Sequence, residues 1–360
     1  MISTRSKRYL AKILPFGLIP MVFSIVYSLL EKGILGNHPY YPSTGNPYNF
    51  NLIVPALISL IIGLFIGLLE VFYLSKIFMK DSFSKKIIFK TLIYFGIIIL
   101  SIFIIAILST AHELRLSPFN PEVLDNISKF FSSFALWSIL CYFMVGLAFC
   151  LFYSEVSDNI GQFVILNFFT GKYHKPIEEE RIFMFLDMKS STSIAEKLGH
   201  IKYFDLLNDY YRDLSDSIIK YDGEIYQYVG DEIVITWRLH QNSKKTNCID
   251  CFLAMQKSLS SKSDNYLSKY NVVPTFKAAI HSGKVTTGEI GKIKKDFVFT
   301  GDVLNTAARI QGLCNTYKVA LLISKTLSDS LELKNEYNLV ELGQTELRGK
   351  DEKTTLYSIQ

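Results

Sequence analysis

Charge is scarce in this 360-residue sequence: 20% of residues are Asp, Glu, Lys or Arg, against 49% hydrophobic and 14% aromatic. A disordered chain needs the opposite balance, so that class is excluded. Cysteine is scarce too. Five scattered residues, an odd number, rule out a small disulfide scaffold and need no oxidising compartment. The scarcity of charge is uneven. Residues 1–153 hold 12 Lys/Arg and 6 Asp/Glu, a net of +6, while residues 154–360 hold 26 and 27, a net of −1. The basic excess therefore sits in the charge-poor half, which points to membrane contact and not to nucleic-acid binding. Length alone suggests two domains, and composition says that they differ in kind.

Four stretches without a charge are long enough to span a bilayer: residues 13–30, 52–69, 91–111 and 130–154. Pro15 and Pro20 are expected to bend the first. Its basic flank (Arg5, Lys7, Arg8, Lys12) resembles a signal-peptide n-region, but no small-residue cleavage site follows, and it is kept as a helix. Lys and Arg number nine in the amino-terminal tail and second loop against three in the first and third loops. The tail, the second loop and the carboxy-terminal half are thus expected to be cytoplasmic, in a multi-pass protein of the inner membrane. Residues 36–51 form an outer loop rich in Pro and Gly. Glu70, at the edge of the second span, reads as a snorkelling boundary residue. The expected divisions are 1–154 for the membrane domain, 155–180 for a connector helix and linker, and 181–360 for a cytoplasmic domain.

Beyond residue 180 the pattern alternates between strand and helix. RIFMFLDM (181–188) is a buried strand. Helices are expected over 190–198, 202–221, 248–269 and 303–312, and a hairpin is expected about Gly230-Asp231. Strands over 273–281 and 285–290 are expected to flank a turn at Ser282-Gly283, with a short strand at 297–300 and a last one at 355–359. The order β-α-β-β-α-β, with additions, predicts an α+β ferredoxin-like fold with helices on one side of the sheet.

Asp187 ends the first strand and Asp231 tips the hairpin. Side by side, two such carboxylates suit Mg²⁺ or Mn²⁺ together with substrate phosphates. Lys189, Ser190, Ser191 and Thr192 open the next helix, whose first backbone N–H groups can face a phosphate. Asn305 and Arg309, four apart, share a helix face and suit a ribose and a phosphate. Taken singly, the aspartates are better explained by a turn or a cap, and the Asn305/Arg309 pair by a solvated face.

Together and in this order, FLDMKSSTSIAEKLG, YVGDEIVITW, HSGKV and GDVLNTAARI resemble the class III nucleotidyl cyclases, over roughly residues 181–360. The resemblance implies that Asp187 and Asp231 bind two divalent cations, Mg²⁺ or Mn²⁺, that activate the ribose 3′-hydroxyl and hold the triphosphate. It implies that Arg309 stabilises charge on the α-phosphate, that Asn305 orients the ribose, and that Arg348 and Lys350 touch phosphate. It further implies a homodimer, with metal ligands from one protomer and Asn/Arg from the other. The expected function is a membrane-bound cyclase converting a nucleoside triphosphate, ATP first, to its 3′,5′-cyclic monophosphate and pyrophosphate.

The match departs from the family at the base. Adenylate cyclases of this family carry Lys three residues before the hairpin Gly, and Asp or Thr three before the later one. Here Gln227 and Val298 stand at those positions. Gln donates and accepts, and Val does neither, so GTP or a pyrimidine triphosphate stays open. A non-catalytic nucleotide receptor and a transporter with a regulatory domain are the rival classes. Cys248-x-x-Cys251 lacks partners for a zinc site and reads as buried helix, and His281 reads as structural.

Overall fold

The computed structural model describes residues 4–41, 47–78, 83–160, 170–239, 246–293, 295–333, 336–347 and 353–359. The chain divides into two compact units, Ser6–Leu166 and, with Met1–Arg5, Asn167–Gln360.

In the first unit, helix α1 runs through Pro15 and Pro20 over Thr4–Leu35. Helix α2 (Ile53–Leu69) continues into a five-residue π-helical segment, Glu70–Leu74. Then come α3 (Phe83–Leu114), α4 (Pro121–Phe131) and α5 (Phe134–Ile160). Four segments, Arg8–Leu35, Ile53–Leu74, Ile88–Leu114 and Leu136–Ser157, are long and apolar enough to cross a membrane. The fourth starts later than the sequence suggests. Phe130 and Phe131 belong to α4, a separate amphipathic turn of chain that Asn120 caps by accepting from the Glu122 amide. Gly63 lets α2 approach α1 closely, since a Cβ there would strike the Phe16 carbonyl, which Pro20 leaves without its helical donor.

Glu70 is not a boundary residue. It is 4% exposed, ion-paired with Lys90 and hydrogen-bonded by the Tyr94 hydroxyl, both from α3. The Glu70–Leu74 segment belongs to the buried core of the helical unit, and removing one partner would leave an uncompensated buried charge at a cost of about 3–5 kcal/mol. The bias of Lys and Arg towards the tail and second loop persists without Lys90.

The second unit is built on one eight-stranded sheet in the order β2-β3-β1-β4-β6-β8-β7, with β5 paired to β4. The strands are β1 (Ile177–Met188), β2 (Glu224–Val229), β3 (Glu232–Arg238), β4 (Phe276–Ile290), β5 (Asp296–Thr300), β6 (Leu321–Ser324), β7 (Leu339–Thr345) and β8 (Thr354–Ile359). Strand β1 is apolar at successive positions because both of its faces are covered. Ile182, Met184 and Leu186 join one core with Leu206, Tyr210 and Leu214 of helix α7 (His200–Lys220). Phe183 and Phe185 join another with Val303 and Ala307 of helix α10 (Asp302–Gly312). Helices therefore lie on both sides of the sheet, not on one.

Two further expectations change. The 248–269 helix is broken into α8 (Asn247–Ser260) and α9 (Ser263–Tyr270), where the pair Ser260-Ser261 supplies weak helix formers. No turn forms at Ser282-Gly283, which lie inside the single strand β4. Gly283 is there for packing: a Cβ on it would sit 2.7 Å from Val303 Cγ2 of α10.

Candidate active site

The register of the central strands sets the site. Asp187, at the end of β1, pairs with Glu232 of β3 on one side and Lys277 of β4 on the other. The β2–β3 turn just before Glu232 carries Asp231, and the two aspartates share a side-chain hydrogen bond. Burial first, then that bond and the Asp231 charge, hold the Asp187 carboxyl above the ordinary carboxylate range. Glu232 is raised as well, by burial and then by both aspartates. Two groups oppose the shift on Asp187: Gln311 Nε2 donates to Oδ2 at 3.1 Å, and Lys277 Nζ lies 3.3 Å from the same oxygen. The hairpin tip is fixed from α7, where the Tyr211 hydroxyl donates to the Gly230 carbonyl at 2.8 Å. An aspartate pair with Glu232 as a further negative neighbour and Lys277 against it forms a site short of positive charge.

Beside it, Ser190 caps helix α6 (Ser191–Leu198) with a left-handed backbone, φ 58°, and makes no side-chain cap. The first amides of Ser191 and Thr192 are thus without that side-chain partner. Lys189 is half-buried and donates its amide to Thr275 O. On α10, Asn305 is exposed and Arg309 half-buried. The face that meets Asp187 is the one carrying buried Gln311, and Arg309 is about 160° around the helix from it. The structure therefore brings Asp187 and Asp231 together and turns Asn305 and Arg309 away from them.

Gln227 follows an irregularity in the β2–β3 register and is exposed, and Val298 is half-buried on β5. Their neighbours touch, Tyr226 and Phe299 packing edge to face at 4.9 Å, so β2 and β5 approach each other here. Arg348 and Lys350 lie outside the described residues. Cys248 and Cys251 are buried on α8, and burial pushes the Cys248 thiol up to about 12, as for an inert core residue. His281 Nδ1 is 2.8 Å from Ser324 Oγ and ties β4 to β6. Lys277, Gln311 and Tyr211 were not legible as site residues. Only Lys277 left a signal, a lone charge in the apolar run FKAAI.

The site thus joins a carboxylate pair at the end of the central strands of an α+β sheet to the first turn of a neighbouring helix. Residues 173–360 match the family described as "Adenylate and Guanylate cyclase catalytic domain", and the chain belongs to that family. It is 32% identical over 222 residues to adenylate cyclase 2 of Rhizobium meliloti, covering 62% of this chain and 61% of that protein. Human retinal guanylyl cyclase 2 is 28% identical over 177 residues, 49% of this chain and 16% of its own length. Among solved structures, the adenylyl cyclase CyaB from P. aeruginosa aligns with a TM-score of 0.46 at 21% identity, over 52% of this chain and 96% of that one.

Proposed function

We propose that the chain is a membrane-anchored nucleotidyl cyclase that converts a nucleoside triphosphate, ATP first, into its 3′,5′-cyclic monophosphate and pyrophosphate. The observation that carries this reading is the division of the site within the cyclase domain, with Asp187 and Asp231 on one side and Asn305 and Arg309 facing elsewhere. Such a division is completed by a second copy of the chain. Apolar side chains exposed near the hairpin and α7, including Tyr228 (48%), Val229 (54%) and Phe204 (64%), support a homodimer. The Lys/Arg distribution supports a catalytic domain and amino terminus on the cytoplasmic side of the inner membrane.

The donor set fits Mg²⁺ or Mn²⁺. Asp187 and Asp231 face each other as like charges, a contact that a dication would relieve. Among the described residues no group of three or more His, Cys, Asp or Glu gathers into a metal cage. That suits ions which complete their shell with water and substrate phosphates. Two divalent cations held by Asp187 and Asp231 would supply charge to the attacking and leaving oxygens. The remaining roles belong to this chain's own side chains. Arg309 faces the charge that grows on the α-phosphate, and Asn305 holds the ribose so that its 3′-oxygen lies in line. Lys189 and the amides of Ser190, Ser191 and Thr192 take the phosphate tail, with Arg348 and Lys350 added by the family resemblance. The α-phosphorus–oxygen bond to pyrophosphate breaks as the bond to the 3′-oxygen forms, and the hydroxyl proton passes to solvent water.

ATP is placed first because the R. meliloti relative is named an adenylate cyclase. Gln227 and Val298 leave a second reading open, a guanylate or pyrimidine nucleotide cyclase, since neither reads adenine as the family's Lys and Asp or Thr do, and the guanylate pattern with Glu at the first position is not met either. The test offers ATP, GTP, CTP and UTP separately with Mn²⁺ to the full-length protein in membranes, with products identified by mass spectrometry. One dominant cyclic product, lost in Asp187→Ala, is expected. Silence with all four overturns catalysis and leaves a nucleotide-binding receptor.

A further inference from the structure

The helical unit contains a cavity of about 570 Å³. It rests on the reading of these helices as membrane spans and is independent of the cyclase reading. Its wall follows α3 from Ile98 to Glu113, fifteen residue steps, or about 22 Å of depth. Phe16, Ile66, Leu147 and Cys150 close the floor, and they pack in the same cluster as Tyr94. Ile62, Ile102, Ile105 and Phe143 line the shaft. The mouth is different in kind: Tyr41, Asn49, Asn51, Thr110, Glu113 and Asn126 face it.

Packed interiors leave few voids larger than a water, and an empty apolar shaft forfeits dispersion contact along its whole wall. The volume and the mostly apolar lining with a few polar groups are those of a small-molecule site. A volume of about 570 Å³ drawn out over about 22 Å favours a single hydrocarbon chain over a fused-ring ligand. The mouth selects the head. Among the described residues Glu113 is the one carboxylate that lines the cavity, and no Lys, Arg or His does. Lys32, at the same end of α1, donates to the Gly36 carbonyl and lies over the Tyr48 and Phe50 rings. A carboxylate head would meet Glu113 without a counter-charge, whereas a hydroxyl or ammonium head finds acceptors.

We propose that this cavity is a binding site for a single-chain amphiphile with a hydroxyl or cationic head, its chain in the shaft and its head at the Glu113 mouth. The test uses full-length protein in phosphatidylcholine nanodiscs and a dodecylamine carrying a photoreactive diazirine on its chain, with labelled residues mapped by mass spectrometry. Saturable labelling at Ile66, Ile102 and Phe143 is expected, with dodecylamine and dodecanol competing on the order of tenfold better than dodecanoate. Ala106→Phe, which narrows the shaft, lowers labelling at least as much. Should that variant fail to fold, Glu113→Lys at its exposed position carries the test, reversing the preference between amine and carboxylate. Labelling that never saturates and spreads to outward Leu57 and Phe65 overturns the proposal, the shaft then holding bulk lipid. Equal competition by dodecanoate overturns it as well.

Discussion

The Asp187 carboxyl stands above the ordinary range because burial disfavours its charge and Asp231 confronts it across a hydrogen bond. A raised carboxylate pKa means that this group adds stability at low pH, and that the contribution is lost as pH rises through the folded value. A dication needs the same oxygens without their proton, so affinity for Mn²⁺ should climb through that window, about tenfold per pH unit if one proton is released. Calorimetry in buffers of different ionisation enthalpy would count the proton, and a pH-independent affinity would remove Asp187 from the ligand set. Tyr211→Phe deletes the hydroxyl that holds the Gly230 carbonyl, a bond worth about 0.5–1.5 kcal/mol. We expect Mn²⁺ binding to weaken about two- to tenfold with the fold intact by circular dichroism; unchanged binding would assign Tyr211 to stability alone. The aspartates were legible because each sits in a motif with fixed neighbours in the chain. Lys277 and Gln311 were not, because cross-strand register and the phase of α10 bring them to Asp187, and neither is written locally.

At the scale of elements, glycine misled where it served packing. Ser282-Gly283 has the composition of a turn, yet β4 runs straight through it because α10 presses Val303 against the strand. Gly283→Ala should therefore cost about 1–3 kcal/mol, as overpacking does. That lowers the melting temperature of the sheet-containing unit by roughly 2–4 °C per kcal/mol. Val303→Ala in the same chain should restore part of the loss, and no recovery would place the strain elsewhere. Most strands and helices were readable from periodicity. The Glu70–Lys90–Tyr94 cluster was not, because a charge at the end of an apolar run looks the same whether it meets water or a partner on another helix. The break after Ser260 was equally silent, since the apolar spacing carries on across it.

For the whole molecule, the division of α10 into a face that meets Asp187 and a face bearing Asn305 and Arg309 predicts complementation. Asp187→Ala and Arg309→Ala proteins should each be inactive alone. Mixed and allowed to exchange, half of the dimers pair one of each and keep one of two sites, for about a quarter of the wild-type rate. No recovery on mixing would mean that each chain carries a complete site. If two copies share each site as proposed, the same geometry decides how defects are inherited. A subunit lacking only Asp187 still lends its arginine face to a sound neighbour, so output follows the dose of the intact gene and the allele is recessive in character. A subunit lacking both Asp187 and Arg309 silences both sites of every dimer that it enters. Output then falls with the square of the intact fraction, and that allele is dominant.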